Sequence, residues 1–102
     1  MSHVLTIRRT DVFAKWLDSL ADVKGRARIL ARIERLSMGH AGDAKPVGNG
    51  VSELRIDFGP GYRVYFAKVG RVVIVLLAGG DKTSQARDIR AAIRLARNLE
   101  DI

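Results

Sequence analysis

The chain has 102 residues and no cysteine, is 47% apolar and 28% charged, and sets 18 Lys+Arg against 11 Asp+Glu for a formal charge of +7. That length predicts one domain whose core buries roughly two-thirds of the unfolded surface, and the absence of cysteine excludes thiolate zinc sites, thiol nucleophiles and redox motifs. Arginine supplies 13 of the 18 cations, and because its planar fork holds phosphate bidentately, the composition points to a polyanionic or acidic partner.

Val4, Thr6 and Arg8 alternate with Leu5, Ile7 and Arg9, so His3 to Arg9 reads as a short strand. Asp11, or Thr10 before it, can cap a helix carrying Val12, Phe13, Trp16, Leu17 and Leu20 at helical spacing, with Trp16 as core. Asp22 can cap a second helix with Ile29, Ile33 and Leu36 inward and Gly39 as its stop, so the two helices read as an antiparallel hairpin. From His40 to Gly50 the chain is loop-forming, with room for an edge strand around Lys45 to Val47.

Then the period becomes two. Val51 to Phe58 sets Leu54, Ile56 and Phe58 against Glu53, Arg55 and Asp57, and after Gly59-Pro60-Gly61 the segment Tyr62 to Val69 sets Val64 and Phe66 against Arg63 and Tyr65. Val72 to Ala78 is unbroken aliphatic, the pattern of a central strand covered on both faces. After Gly79-Gly80 a helix is predicted from Thr83 or Ser84 to about Glu100, with Ala86, Ile89, Ile93, Ala96 and Leu99 or Glu100 along its inner side. The expected architecture is α+β: a mainly antiparallel sheet with an N-terminal helix hairpin and a C-terminal helix, the helices packed against one face. That packing leaves the other face open, with Glu53, Arg55, Asp57, Arg63 and Tyr65 gathered on it.

Such a face suits either a salt-bridged surface or a phosphate site, where arginines stabilise charge on a phosphorane and a neighbouring group moves protons. Lys82 follows the central strand and can reach the same face. Gly79-Gly80-Asp81-Lys82-Thr83-Ser84 fails the phosphate-loop pattern of nucleotide-triphosphate enzymes, because Asp81 stands where a glycine must precede the lysine. Two cationic stripes, Lys24, Arg28, Arg32 and Arg35 on the second helix and Arg87, Arg90, Arg94 and Arg97 on the last, have i, i+3 or i+4 spacing. Like charges so placed repel, which suits an acidic partner or an RNA backbone. His3 and His40 lack nearby metal co-ligands, so no metal or other cofactor is expected. No apolar run approaches the ~20 residues of a membrane span and Met1 to Thr10 is too short for a signal sequence, so a cytoplasmic protein is expected.

Glu53-Leu54-Arg55-Ile56-Asp57, Gly61-Tyr62-Arg63-Val64-Tyr65-Phe66 and Gly79-Gly80-Asp81-Lys82 with Gln85, Arg87, Asp88 and Ile89 resemble the RelE/ParE toxin superfamily, closest to its HigB-like addiction module killer branch. The resemblance extends through Phe13 to Leu17, Arg26 to Ile29 and Lys45 to Gly48. It implies a RelE-like fold and a toxin of a type II toxin-antitoxin pair, held in a hetero-oligomer by a small antitoxin that often carries a helix-turn-helix domain. It also implies an endoribonuclease that cuts mRNA on the ribosome, with the ribose 2′-hydroxyl as nucleophile. A non-enzymatic ParE-like inhibitor of DNA gyrase is the alternative within the same fold. Carried over by position, Arg63 matches the phosphate-contacting arginine, Arg55 a basic position on the preceding strand, and Lys82 a site where another arginine often stands. The C-terminal tyrosine of RelE is absent, which leaves Tyr65, Asp57, Asp88 and His40 as candidates for proton transfer. Arg87, Arg90, Arg94, Lys45 and Lys68 are the expected contacts to RNA or antitoxin.

Overall fold

The first two helices start where a side chain satisfies free N–H groups of the first turn, and these caps also fix the helices to the sheet. The computed structural model describes residues 4–101, so the start of the predicted first strand at His3 and the side chain of Glu100 lie outside the described part. Strand β1 spans Thr6–Arg9 and helix α1 spans Asp11–Ser19. Of the two possible caps, Thr10 takes the position: its hydroxyl accepts from Phe13 N at 3.1 Å and donates to the Leu77 carbonyl at 2.6 Å. Helix α2, Val23–Ser37, is capped by Asp22, which accepts from Gly25 N at 2.9 Å and from the Tyr62 hydroxyl at 2.8 Å. One carboxylate thus starts a helix and ties it to a strand.

Strands β2 (Ala44–Gly48), β3 (Val51–Ile56), β4 (Tyr62–Val69) and β5 (Val73–Asp81) form antiparallel neighbours, and β1 adds to β5 in parallel, giving the order β1-β5-β4-β3-β2. The sheet is therefore mixed rather than wholly antiparallel. Asn49 and Gly50, with φ of 53° and 78°, turn β2 into β3 as the two left-handed residues of a tight hairpin, a geometry that Asn-Gly favours. Pro46 sits on edge strand β2, where its missing N–H costs no sheet bond. A short 3-10 turn, Lys82–Ser84, leads into α3, Gln85–Arg97, and a second, Asn98–Asp101, follows it.

The helices do not share one face. Phe13, Leu17, Ile29, Ile33 and Leu36 of α1 and α2 pack with Leu54, Ile56, Val64, Phe66, Ile74 and Leu76 on one side. Ala92 of α3 is buried with Val51, Tyr65, Ala67, Val75, Leu77 and Ala78 on the other, and Ile89, Ile93 and Ala96 pack around them. The expected open face is thus covered. The cause lies in the strands: Val51 and Ala67 share a face with Glu53 and Tyr65, and aliphatic β5 presents apolar side chains both ways, so two covers are needed. Ala86, expected inward, is exposed, and Ala92 fills the contact instead. Where Tyr65 pairs with Ala78 and Phe66 with Leu76, β5 carries one extra residue, a bulge that turns both Leu77 and Ala78 toward α3.

Gly79 and Gly80 belong to β5 rather than to a turn after it. A Cβ on Gly79 would meet the Trp16 ring at 2.1 Å, and one on Gly80 would meet the Asp88 carboxylate at 1.8 Å. The two missing side chains let α1 approach one face and α3 the other.

Candidate functional site

The register of β3 and β4 sets Arg55 directly opposite Arg63. Like charges so paired repel, and each arginine is held by a different carboxylate. Arg55 Nε donates to Asp43 Oδ1 at 3.3 Å, and Arg63 Nε lies 3.8 Å from Glu53 Oε1. Lys82, at the end of β5, closes the third side. Arg55, Arg63 and Lys82 line one cleft of about 350 Å³ with Asp43, Asp57 and the Gly59-Pro60-Gly61 turn. Gly61 keeps this turn against the cations: a Cβ there would stand 3.5 Å from both Arg63 Nη1 and Lys82 Cβ, on a backbone with φ of 81°. Four of the five expected catalytic residues therefore meet around one space.

The fifth, Tyr65, does not reach it. Its side chain is fully buried under α3, and its hydroxyl donates to Glu53 Oε2 at 3.2 Å. Gln85, from the first turn of α3, donates to the same oxygen at 2.7 Å. Burial, reinforced by the neighbouring Glu53 charge, pushes the Tyr65 hydroxyl far above its usual range. A group so protected is a poor proton carrier near neutrality. Of the other candidates, Asp57 is exposed at the cleft, His40 is exposed outside its lining, and Asp88 lies over Gly80, where it accepts from the Ser84 hydroxyl.

Glu53 lies on the face that strand alternation assigns to it, but that face is covered by α3 rather than solvated: Glu53 is 0% exposed, and its Oε1 and Arg63 Nε have no hydrogen-bond partner among the described residues. Arg63 Nη1 donates to the carbonyls of Gly61 at 3.1 Å and Tyr62 at 3.2 Å. The guanidinium is thus fixed along one edge by backbone and held near a buried counter-charge. The sequence did carry a clue, since Val51 and Ala67 have the parity of Glu53 and Tyr65, and apolar residues among polar ones mark a covered face.

Arg32 and Asp43 were also missed in these roles. Arg32, read as part of a surface stripe, donates to the carbonyls of Arg55 at 2.6 Å, Ala41 at 3.0 Å and Asp43 at 3.3 Å, and so holds the loop before β2 against the end of β3. Arg28 of the same stripe lies over the Phe58 ring at 5.0 Å. Asp81 starts the turn into α3, and the side chain and backbone N–H of Thr83 hold its carboxyl below the usual carboxylate range.

The expected RNA or antitoxin contacts separate in space. Arg87 lies beside Asp88 at 3.7 Å in the first turn of α3, and Lys45 pairs across the strands with Glu53 at the sheet edge. Arg90 and Arg94 line a second groove with Arg97, Ile93 and Asn49, and Lys68 lies near the far end of β4. Among the described residues no cluster of His, Asp and Glu could hold a metal ion, and no helix is long and apolar enough to cross a membrane.

Residues 15–100 match the model of a protein family described as phage derived protein Gp49-like (DUF891). An uncharacterized protein of Haemophilus influenzae is 46% identical over 95 residues, which cover 93% of this chain and 96% of that protein.

Proposed function

The chain belongs to the phage-derived Gp49-like family, which is RelE-like and associated with toxin–antitoxin modules, and from this premise we propose that it is the toxin of such a module, of the HigB-like branch, acting as a ribosome-dependent mRNA endonuclease in the cytoplasm. The observation that carries the reading is the opposition of Arg55 and Arg63 across β3 and β4, with Lys82 on the third side of one cleft. Two arginines forced together across a strand pair gain most from an anion between them, and a scissile phosphate is such an anion. As the ribose 2′-oxygen attacks the adjacent phosphorus and the bond to the 5′-oxygen of the next nucleotide breaks, leaving a 2′,3′-cyclic phosphate and a 5′-hydroxyl protonated from water, charge grows on the phosphorane oxygens. Arg63, held by Glu53 and two carbonyls, is oriented before substrate arrives, so little reorganisation accompanies that charge. Lys82 adds a point charge without a bidentate fork. Asp57 is given the 2′-hydroxyl proton in this reading, supported by its being an exposed carboxylate of the cleft without an ion-pair partner among the described residues. Arg87, in the first turn of α3, and Lys45, across the strands from Glu53, add positive charge that favours approach of the RNA backbone. The family implies an antitoxin partner.

The test is induced expression combined with a translation extract. Translated mRNA should be cut by the wild type, and Arg63→Ala should lower the rate by about 100-fold or more, with Asp57→Asn also impaired. Unimpaired cleavage by Arg63→Ala would remove the assigned site. Inhibition of gyrase supercoiling by the purified protein, with mRNA left intact, would replace this reading by the ParE-like one.

A further inference from the structure

The turn between β5 and α3 serves the cleft twice. It carries Lys82 into the cleft wall, and at the start of α3 it sets half-buried Gln85 against the buried carboxylate of Glu53. We propose that Gln85 is a positioning residue of the cleft: by fixing which oxygen of Glu53 faces Arg63, it holds the Arg63 guanidinium in the orientation that meets a phosphate.

The two oxygens of Glu53 have unequal surroundings. Oε2 accepts from Gln85 Nε2 at 2.7 Å and from the Tyr65 hydroxyl at 3.2 Å, whereas Oε1 accepts from nothing among the described residues and lies 3.8 Å from Arg63 Nε. The last torsion of a glutamate side chain is soft, so its own rotamer does not decide which oxygen points where. The two donors decide it. Gln85 is the shorter contact, at the distance of a charge-assisted hydrogen bond, and a carboxylate admits only the amide nitrogen on that side. Tyr65 is the cross-strand neighbour of Glu53, so the β3–β4 pair supplies it, but Gln85 reaches the carboxylate only because α3 begins where it does. That start is itself fixed: Asp81 accepts from the Thr83 N–H at 2.9 Å, and its own N–H donates to Ser84 Oγ at 3.3 Å, a reciprocal cap just before Gln85. With Oε2 so occupied, Glu53 stays at ion-pair distance from Arg63 and does not close on it. The guanidinium then remains part of the cleft wall, with Nη1 tied to the Gly61 and Tyr62 carbonyls. Removing the Gln85 donor frees the carboxylate to turn toward Arg63 and draw it from the phosphate position.

For its activity readout this role rests on the cleavage reading of the cleft, so two measurements are paired. The first uses no RNA: the Arg63 Nε–H resonance of the isotope-labelled full chain, identified by its loss in Arg63→Ala. It should be sharp and set apart from the exposed arginines in the wild type, and broadened or returned among them in Gln85→Leu. The second is cleavage of mRNA on translating ribosomes. Gln85→Leu should lower kcat about tenfold or more with KM changed less than about twofold, because an ordered guanidinium acts on the charge of the transition state. Ile93→Ala, which trims an apolar contact of α3 on the same face, should change kcat less than about twofold. Gln85→Glu keeps the shape but brings a second carboxylate to a place already faced by Arg63 and Tyr65 of β4, Lys45 of β2 and Asp88 of α3. Two carboxylates in contact share a proton, and the new carboxyl, once protonated, donates to Glu53 Oε2 as the amide does. Activity of Gln85→Glu relative to the wild type should therefore rise about tenfold from about pH 8 to about pH 6. Circular dichroism of each variant checks that α3 is intact. An unchanged Arg63 resonance in Gln85→Leu, a loss of kcat matched by Ile93→Ala, or a Gln85→Glu deficit equal at both pH values would overturn the proposal. If the wild type leaves translated mRNA intact, the cleavage reading falls, and the resonance alone decides whether Gln85 orders Arg63.

Discussion

Glu53 and Leu54 are neighbours on β3, both 0% exposed, and they point into opposite environments. Leu54 enters the contact with α1 and α2, where nearly every buried side chain is apolar and the polar exception, the Tyr62 hydroxyl, is bonded to Asp22. Glu53 enters the contact with α3, where it gathers Tyr65, Gln85 and Arg63. The first face obtains its stability from burial, which is non-directional and tolerates small shifts. The second places a charge where water cannot solvate it, and so makes the position of Arg63 depend on a few directional contacts. The cleft opens at the margin of that second face, where the covering by α3 ends and Arg55, Arg63 and Lys82 meet solvent.

The strongest way to test this contrast is to truncate the two neighbours. Glu53→Ala strands a guanidinium and two donors in a buried site and should cost about 4 kcal/mol in urea unfolding. Adding Arg63→Ala should restore part of the loss, because the lone charge is then gone. A loss under about 1 kcal/mol for Glu53→Ala would show that the network is solvated. Leu54→Ala leaves only a cavity and should cost about 3 kcal/mol while the folded fraction keeps its activity.

Next come the paired glycines. Gly79→Ala and Gly80→Ala should each cost about 2 kcal/mol by overpacking, but with different readouts. Gly79→Ala presses on Trp16 and should change its fluorescence, whereas Gly80→Ala displaces Asp88 and Ser84 at the start of α3 and should also impair cleavage. If both variants perturbed only the tryptophan signal, α3 would not approach the sheet through Gly80.

Smallest is the response to pH, which also divides by face. The Tyr65 hydroxyl stays protonated in the folded chain beyond the pH of about 10.0 at which the unfolded chain releases its proton. Its contribution is therefore complete below that pH and is lost as pH rises above it. Tyr65→Phe should flatten this alkaline limb more than Tyr62→Phe, whose hydroxyl is raised by burial and by Asp22. Asp22 behaves in the opposite sense. The Gly25 N–H and the Tyr62 hydroxyl hold its carboxyl below the ordinary value of 3.8, so its contribution is present above that pH and is lost as pH falls through the lowered value. Asp22→Asn should shallow the acid limb of the stability profile, and an unchanged limb would assign acid unfolding to other carboxylates.

Local patterning made much of this molecule legible. The Thr10 and Asp22 caps, the inward Ile29, Ile33 and Leu36, the Pro46 edge strand and the opposed parities of β3 and β4 all follow from contacts within a few residues, which spacing and side-chain chemistry encode directly. The gathering of Arg55, Asp57, Arg63 and Lys82 was legible too, since strand alternation and two successive hairpins, β3–β4 and β4–β5, bring them to one side.

The expectation that all helices share one face failed, because which surface each helix covers is decided by the total apolar area each face presents and by where the chain can pass, not by any one segment. That single tertiary choice, α3 opposite α1 and α2, changed the meaning of three residues at once. Tyr65 moved from a candidate proton carrier to a buried partner of Glu53, Glu53 from a surface charge to the counter-charge of Arg63, and Gly80 from a turn residue to the place where α3 meets the sheet. The sequence by itself determined an arginine-rich domain, most of its elements and the four expected residues, Arg55, Asp57, Arg63 and Lys82, that line its cleft. Only the tertiary structure decided which of those groups meet water, because burial under α3 is a property of packed elements that no single segment carries.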